Sequence, residues 1–465
     1  MTRHLGVGGD VAMRAAVLVA LIAAGCSAPP AGSPAPAGAG PARTDAKTET
    51  TTEGNDAMRA LGERYVKLVL AVGLHDADYV DAYYGPPEWR SAVVKRPLPD
   101  LEREAAALAT ELGATVPPAG ADTLVLLRHK YLSRQLEALR ARVAMLSGTK
   151  LRFDDESKAL YDAVAPHHEA KEFEAVLAQL DAALPGKGPL LDRYTRFRDA
   201  YVIPPARLDA TFKAAIEGCR SRTLAQVQLP PGESFTVEYV TNKSWSGYNW
   251  YQGNYRSLIQ VNTDLPIFAD RAIDLACHEG YPGHHVYNVL LEKALVRDRG
   301  WPEYQVYPLF SPQSLIAEGT ANFGIEVAFP PADRLAFERT VIFPAAGLNP
   351  ASADRYYEVM GLVDRLSYAG NEAARRYLDG EIDAKAASAW LEKYGLYAPA
   401  RAQQRVRFMD QYRSYVINYN LGKDRVAQYI EARAGRDPSR RWQAFEALLS
   451  SPRLPSDLRP AGDGR

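Results

Sequence analysis

Cysteine is scarce in this chain, with three in 465 residues, few for the exported protein that its first residues suggest. Net charge is nearly absent, at −1, so nothing points to nucleic acid or an acidic lipid surface as a partner. No apolar run is long enough to span a bilayer, since the best candidate, Ala15 to Ala24, falls well short of the length a transmembrane helix needs. No internal repeat is visible, which sets repeat architectures aside.

The N-terminus places Arg14 before that apolar run and Gly25-Cys26-Ser27 after it, the layout of a secretory signal with a small-residue cleavage site over residues 1–25. Ala23-Ala24-Gly25-Cys26 resembles a bacterial lipobox, which implies cleavage before Cys26, lipidation of its thiol and attachment to a membrane of the cell envelope. Met13 is a candidate true start, because it begins a compact signal. Residues 26–55 are rich in Pro, Ala and Gly and then in Thr and Glu, a composition that builds no core and suits a flexible tether. The remaining length suffices for one large domain or two subdomains.

Residues 56–230 read as an N-terminal helical region, with helical periodicity in Leu101–Leu108 and Asp122–Met145 and breaks at Pro117-Pro118, Pro185-Gly186 and Pro204-Pro205. The pattern then changes. Phe235–Val240 and Arg256–Asn262 alternate with period two and read as strands, with an aromatic turn region, Trp245–Tyr255, between them. Pro266 is expected to open a helix running through Ile273 and Leu275, and a further helix is expected from about Gln313 to Ala328. Helices continue to about residue 450, and the tail 456–465 is expected to be loose. The fold class expected is mainly α with a small β-sheet. The strand before the Pro266 helix could offer a free edge to an extended peptide, or could simply close the core.

Residues 231–455 carry the chemistry, in the run His278-Glu279-Gly280-Tyr281-Pro282-Gly283-His284-His285. Two histidines four apart on a helix, flanking a Glu, can hold zinc while the Glu activates water. Here the second His comes six residues after the first, which in a regular helix would rotate it by roughly 120° out of reach. A deformed helix solves this, and Pro282-Gly283 supplies the deformation. His284 is then the preferred second ligand. His285 is the fallback, on the right face of an unbroken helix but about 10 Å along it.

With Ile259-Gln260-Val261-Asn262-Thr263 before it and Ala317-Glu318-Gly319-Thr320-Ala321 after it, this run resembles the bacterial family called domain of unknown function 885. That family is similar to the gluzincin metallopeptidases and shows His-Glu-x-x-Pro-Gly-His followed by Glu-Gly-Trp-Ala. The resemblance covers about residues 235 to 330 and, more weakly, Tyr415–Gly422. It implies His278, His284 and Glu318 as ligands of one zinc ion per chain, Glu279 as general base, and a gluzincin-like architecture with the active-site helix beside a short sheet. Thr320 stands where the family often has Trp, Tyr287 where Gln is common, and Glu326 one residue later than the usual second acid.

Two His and one Glu match the open, catalytic type of zinc site rather than the closed structural type. The scissile oxygen also needs a positive partner. Tyr415, Tyr419 and Arg413 are candidates, with Tyr419 assigned the role. Glu326 and Glu303 are competing acids for the third ligand position. His167-His168-Glu169 at a proline break reads as surface, and His75 and His129 read as structural. Cys277 beside His278 reads as a buried, inert thiol, and spacing alone does not say whether it meets Cys219.

The function expected is a zinc metallopeptidase acting on peptides in the cell envelope. An amide hydrolase acting on cell-wall peptides would use the same residues. A non-catalytic zinc-binding lipoprotein is the alternative from another class.

Overall fold

A computed structural model describes residues 46–459, with side chains from residue 56 onward. The signal segment 1–25, Cys26 and most of the expected tether lie outside the described residues. The first helix begins at Ala46 and runs to Gly73, so residues 46–55 are helical where a tether was expected. At the other end the expected loose tail is docked through Arg459. Leu454 and Leu458 are buried, Asp457 bonds the Leu454 amide and pairs with Lys130, and the Ser456 amide donates to Asp162 at 3.0 Å.

The chain is mainly α-helical with two small sheets. Strand β1 (Val80–Tyr83) pairs antiparallel with β5 (Val306–Pro308). The other sheet has the order β2 (Ser234–Val240), β4 (Arg256–Asn262), β3 (Gly247–Gly253), with β2 parallel and β3 antiparallel to β4. Strand β3 replaces the expected aromatic turn. Its glycines and Asn249 look like turn punctuation, yet Asn249, Tyr251 and Gly253 alternate inward in register with β4. Because β4 lies between two partners, it has no free edge for a peptide. Within this sheet, β3 supplies most of the residues that face the cavity described below.

The expected boundary near residue 230 is not a break. β1 from the N-terminal region and β5 from the C-terminal region share one sheet. Arg128 and Glu303, both fully buried, form a two-pronged ion pair with one contact of 3.0 Å, and the Tyr131 hydroxyl donates to Gln313 at 2.8 Å. From Lys47 through the last described residue, Arg459, the chain is one compact unit.

Two close approaches of backbone set up the site. The helix Ala269–Leu275 continues as a π-turn, Ala276–Gly280, and a new helix starts at His284 and runs to Leu291. Between them the Gly283 amide donates to the Cys277 carbonyl at 2.9 Å. A Cβ at Gly283 would sit 1.9 Å from the His278 carbonyl oxygen, so only glycine fits. The helix starts at Ala269 rather than Pro266 because residues 201–203 hold the preceding segment extended, through Ile203 N–H to the Ile267 carbonyl and Ala269 N–H to the Tyr201 carbonyl. The second approach joins Pro312–Ala328 to Ile417–Ala434, where a Cβ on Gly319 would lie 2.5 Å from the Gly422 carbonyl oxygen. This crossing brings Glu318 and Tyr419 to one place.

Cys219 and Cys277 form a disulfide, with Cα atoms 5.5 Å apart. This corrects the reading of Cys277 as a free thiol. The bond ties the helix Pro205–Leu224 to the π-turn that carries His278.

Candidate metal centre

The π-turn and the break at residues 281–283 turn His284 back toward His278. Their Nε2 atoms are 3.1 Å apart, with ring planes nearly perpendicular. Glu318 Oε2 lies 3.3 Å from His278 Nε2 and 3.9 Å from His284 Nε2. Among the described residues, these three are the group whose ligand atoms could converge on one ion. Bonds of about 2.1 Å at tetrahedral angles hold zinc ligands about 3.4 Å apart, close to all three separations. The donor set therefore fits zinc. Glu318 Oε2 is buried and has no hydrogen-bond partner, which marks an acceptor directed at the common point.

Neighbouring groups fix two of the three donors. The His278 Nδ1 proton is donated to Asn322 Oδ1 at 3.1 Å, leaving Nε2 toward the site, and the Asn322 amide donates to the Tyr419 carbonyl at 3.2 Å. Asn322 lies one turn after Glu318 on the same helix, and the sequence reading missed it. A polar side chain four residues after a ligand Glu was the available signal. The other Glu318 oxygen accepts from the Tyr415 hydroxyl at 2.8 Å, so Tyr415 orients a candidate ligand.

Burial and charge tune the titrating groups. Burial drives Glu279 up to about 7, with the Glu318 and Asp81 charges adding to it and His278 and Arg271 opposing. Asp81, on β1, is likewise pushed up to about 7, chiefly by burial, with Glu318 adding and a bond from the Tyr248 hydroxyl opposing. Burial lowers His278, but the Glu318 carboxylate beside it and the charge of Glu279 outweigh this and raise it. His284 is pushed down to about 4 by burial and by the His278 charge. Burial works against the Glu318 anion, yet His278, His284 and Tyr415 together hold its pKa low.

The centre opens on a cavity of about 1470 Å³. β1, β3, the motif helix, the Glu318 helix and the segment around Tyr415–Lys423 all line it. Tyr419 is on this wall, its ring 5.8 Å from that of Tyr415, and its hydroxyl makes no hydrogen bond among the described residues. Burial, then the Glu318 charge, holds that hydroxyl protonated. Asn249 of β3 donates to the Glu279 carbonyl at 2.7 Å and so anchors the motif to the sheet.

The other sequence candidates lie elsewhere. His285 is fully buried beneath the site, with Nδ1 2.9 Å from Ser257 Oγ and Nε2 2.9 Å from Glu233. Arg413 turns away from the cavity to bond Glu156 at 2.7 Å, which corrects its candidacy as an oxyanion partner. Glu303 is committed to Arg128, and Glu326 pairs with Lys423 at 2.7 Å. His75 and His129 bond the backbone carbonyls of Arg96 and Leu112, and His167 and His168 pair with Asp154 and Glu172.

No protein-family profile matches the chain, and no curated protein matches it. The resemblance drawn from the motif therefore stands on its residues. Among solved structures, similar ones include a presumed lipoprotein from Colwellia psychrerythraea, at 13% identity and TM-score 0.49, over 78% of this chain and 68% of that one. An M32 carboxypeptidase from Deinococcus radiodurans R1 has 12% identity and TM-score 0.44, over 86% and 91%. A presumed lipoprotein of unknown function from Shewanella oneidensis has 12% identity and TM-score 0.40, over 78% and 74%. At these scores the likenesses assign no residue and no activity.

Proposed function

We propose that this chain is a zinc-dependent hydrolase, and specifically a peptidase acting on peptides in the cell envelope. The observation that carries the reading is the convergence of His278, His284 and Glu318 on one point of a large cavity, with Glu279 next in sequence to a ligand and buried on the same wall. Zinc held there would polarise a carbonyl and lower the pKa of water toward neutrality.

The chain's own residues supply the rest. Glu279 takes a proton from the attacking water and returns it to the leaving amine. A carboxyl poised near 7 can do both. Tyr419, protonated and with a free hydroxyl, donates to the carbonyl oxygen as charge builds on it. Asn322 and Tyr415 keep His278 and Glu318 aimed. The cavity gives a peptide room to lie along β3. An amide hydrolase acting on cell-wall peptides would use the same groups and differ only in the bond chosen.

Export and a lipid anchor at Cys26 belong to this proposal and rest on the N-terminal sequence. The Cys219–Cys277 disulfide supports an oxidising compartment. No helix among the described residues is long and apolar enough to cross a membrane.

The test is Glu279→Gln in the zinc-loaded protein, with hydrolysis of a peptide library and metal content measured together. Loss of hydrolysis with zinc retained is the expected result. No hydrolysis by the unsubstituted chain would favour the non-catalytic, zinc-binding reading.

A further inference from the structure

One wall of the cavity is not used by that reaction. The helix Pro399–Tyr412 turns Arg401, Arg405, Phe408 and Tyr412 toward the cavity, residues spaced as one face of a helix. Neither arginine has a carboxylate partner among the described residues. Arg401 reaches only Ser246 Oγ, at 3.5 Å. Arg405 is held by stacking, its guanidinium 4.4 Å from the Phe408 ring centre and 5.6 Å from that of Tyr419, while its buried Nε has no acceptor. The cavity's other cations are matched: Lys423 with Glu326 at 2.7 Å, Arg334 with Asp274 at 2.7 Å, Arg198 with Asp270 at 3.5 Å. Arg271 has only Asp274, at 3.4 Å, and must share it with Arg334.

Arg271, Arg401 and Arg405 line the same cavity as the metal centre. Arg271 lies seven residues before His278, about two helical turns away on the same side, and its charge reaches both His278 and Glu279. Arg405 stacks on Tyr419. Arg401 approaches the start of β3, the strand that lines the cavity. Arg401 is exposed yet lines the cavity, and desolvation with the like charges of Arg271, Arg405 and Arg198 lowers its pKa against an opposing contribution from Tyr397. Like charges held together without an anion are costly, and an arginine fork is shaped to take a carboxylate through two parallel bonds.

We infer that Arg401, Arg405 and Arg271 form a carboxylate-binding pocket next to the triad, and that the substrate is a peptide carrying a carboxylate close to the bond that is cut. The inference rests on the hydrolase reading for the word substrate and on the arginines alone for the binding. The carboxylate is either the free C-terminus of the peptide or an acidic side chain.

The test uses the full chain, zinc-loaded and carrying Glu279→Gln so that ligands are not turned over. It is titrated calorimetrically with three acetylated peptides of equal length: one with a free C-terminus, one amidated, and one amidated but ending in Glu. At least one carboxylate-bearing peptide is expected to bind about tenfold or more tighter than the neutral one. The free-acid peptide winning identifies the C-terminus, and the Glu peptide winning identifies the side chain. Adding Arg401→Gln and Arg405→Gln should erase the preference while zinc content, melting temperature and affinity for the neutral peptide hold. Equal binding of all three, a preference that survives the double substitution, or no binding at all overturns the pocket. Hydrolysis by the unsubstituted chain is scored separately. Cleavage without carboxylate preference keeps the hydrolase and sinks the pocket, whereas selective binding without cleavage keeps the pocket and sinks the hydrolase.

Discussion

At the scale of single residues, the site depends on which atoms carry protons. Glu279→Gln is isosteric and lies outside the triad, so it should lower kcat by about 10²- to 10⁴-fold while zinc stays bound, checked by peptide hydrolysis beside metal analysis. Tyr419→Phe should lower kcat with little change in KM, because its hydroxyl is assigned to charge that develops only in the transition state. His278 gives a pH dependence of known sign. Its pKa is raised above the ordinary value near 6.5 by Glu318 and Glu279, against burial, so a proton on Nε2 competes with the ion for that position. Below the raised pKa, zinc uptake must expel that proton, so affinity falls as pH falls; above it, this contribution is absent. Competition with a chromophoric chelator at about pH 6 and about pH 8 should show weaker binding at the lower value. An affinity that rises with acidity would contradict the assignment. The three candidate ligands were legible in sequence because residue type carries their chemistry, and the fold brings their donor atoms together. The supporting shell was not: Asn322 and Tyr415 are ordinary helix residues until the Gly319–Gly422 crossing brings them to His278 and Glu318.

At the scale of elements, the interrupted helix is the device that makes six-residue spacing work. Sequence pattern foretold a deformation at Pro282-Gly283, and the structure adds that a π-turn over Ala276–Gly280 comes first. Gly283→Ala would force a methyl group into the His278 carbonyl. It should abolish zinc binding even in chains that still fold, checked by metal content and circular dichroism together. The disulfide belongs to the same element, since it clamps the π-turn to Pro205–Leu224. With its cysteines separated by 58 positions in sequence, the bond's loss through Cys219→Ser with Cys277→Ser should cost about 2–4 kcal/mol. Urea unfolding of the oxidised and substituted proteins measures this, and equal midpoints would show that the bond does not hold the site. Its pairing was hidden because contacts so far apart in sequence leave no local signal. Strand β3 was hidden for the opposite reason: its glycine, asparagine and aromatic residues satisfy turn chemistry locally, and only pairing with β4 makes them a strand.

At the scale of the whole molecule, the N-terminal helices and the motif region share one core, so the apparent change of pattern near residue 230 marks a change of secondary structure. The buried Arg128–Glu303 pair spans that junction. Arg128→Met leaves a buried carboxylate without its partner and should destabilise the protein by about 3–5 kcal/mol, and residues 231–455 alone should remain unfolded by circular dichroism. Glu338 adds a pH-dependent contribution to stability. Burial, only partly opposed by Arg334, pushes its carboxyl up to about 8, above the unfolded value near 4.3. A raised folded pKa contributes stability that is complete below about 4.3 and lost as pH rises through about 8. Glu338→Gln removes this loss, so its advantage over the unsubstituted chain should grow from about pH 5 to about pH 8 in urea unfolding. The arginine wall belongs to this scale too, because Arg401 and Arg405 stand far from the motif in sequence and meet it only across the finished cavity.

The most direct test of the metal centre is elemental analysis of the purified full chain beside His284→Ala and His285→Gln, each normalised to folded protein. About one zinc per chain is expected, lost with His284→Ala and retained with His285→Gln. Zinc retained by His284→Ala, or no zinc bound by the unsubstituted chain after loading, would contradict it.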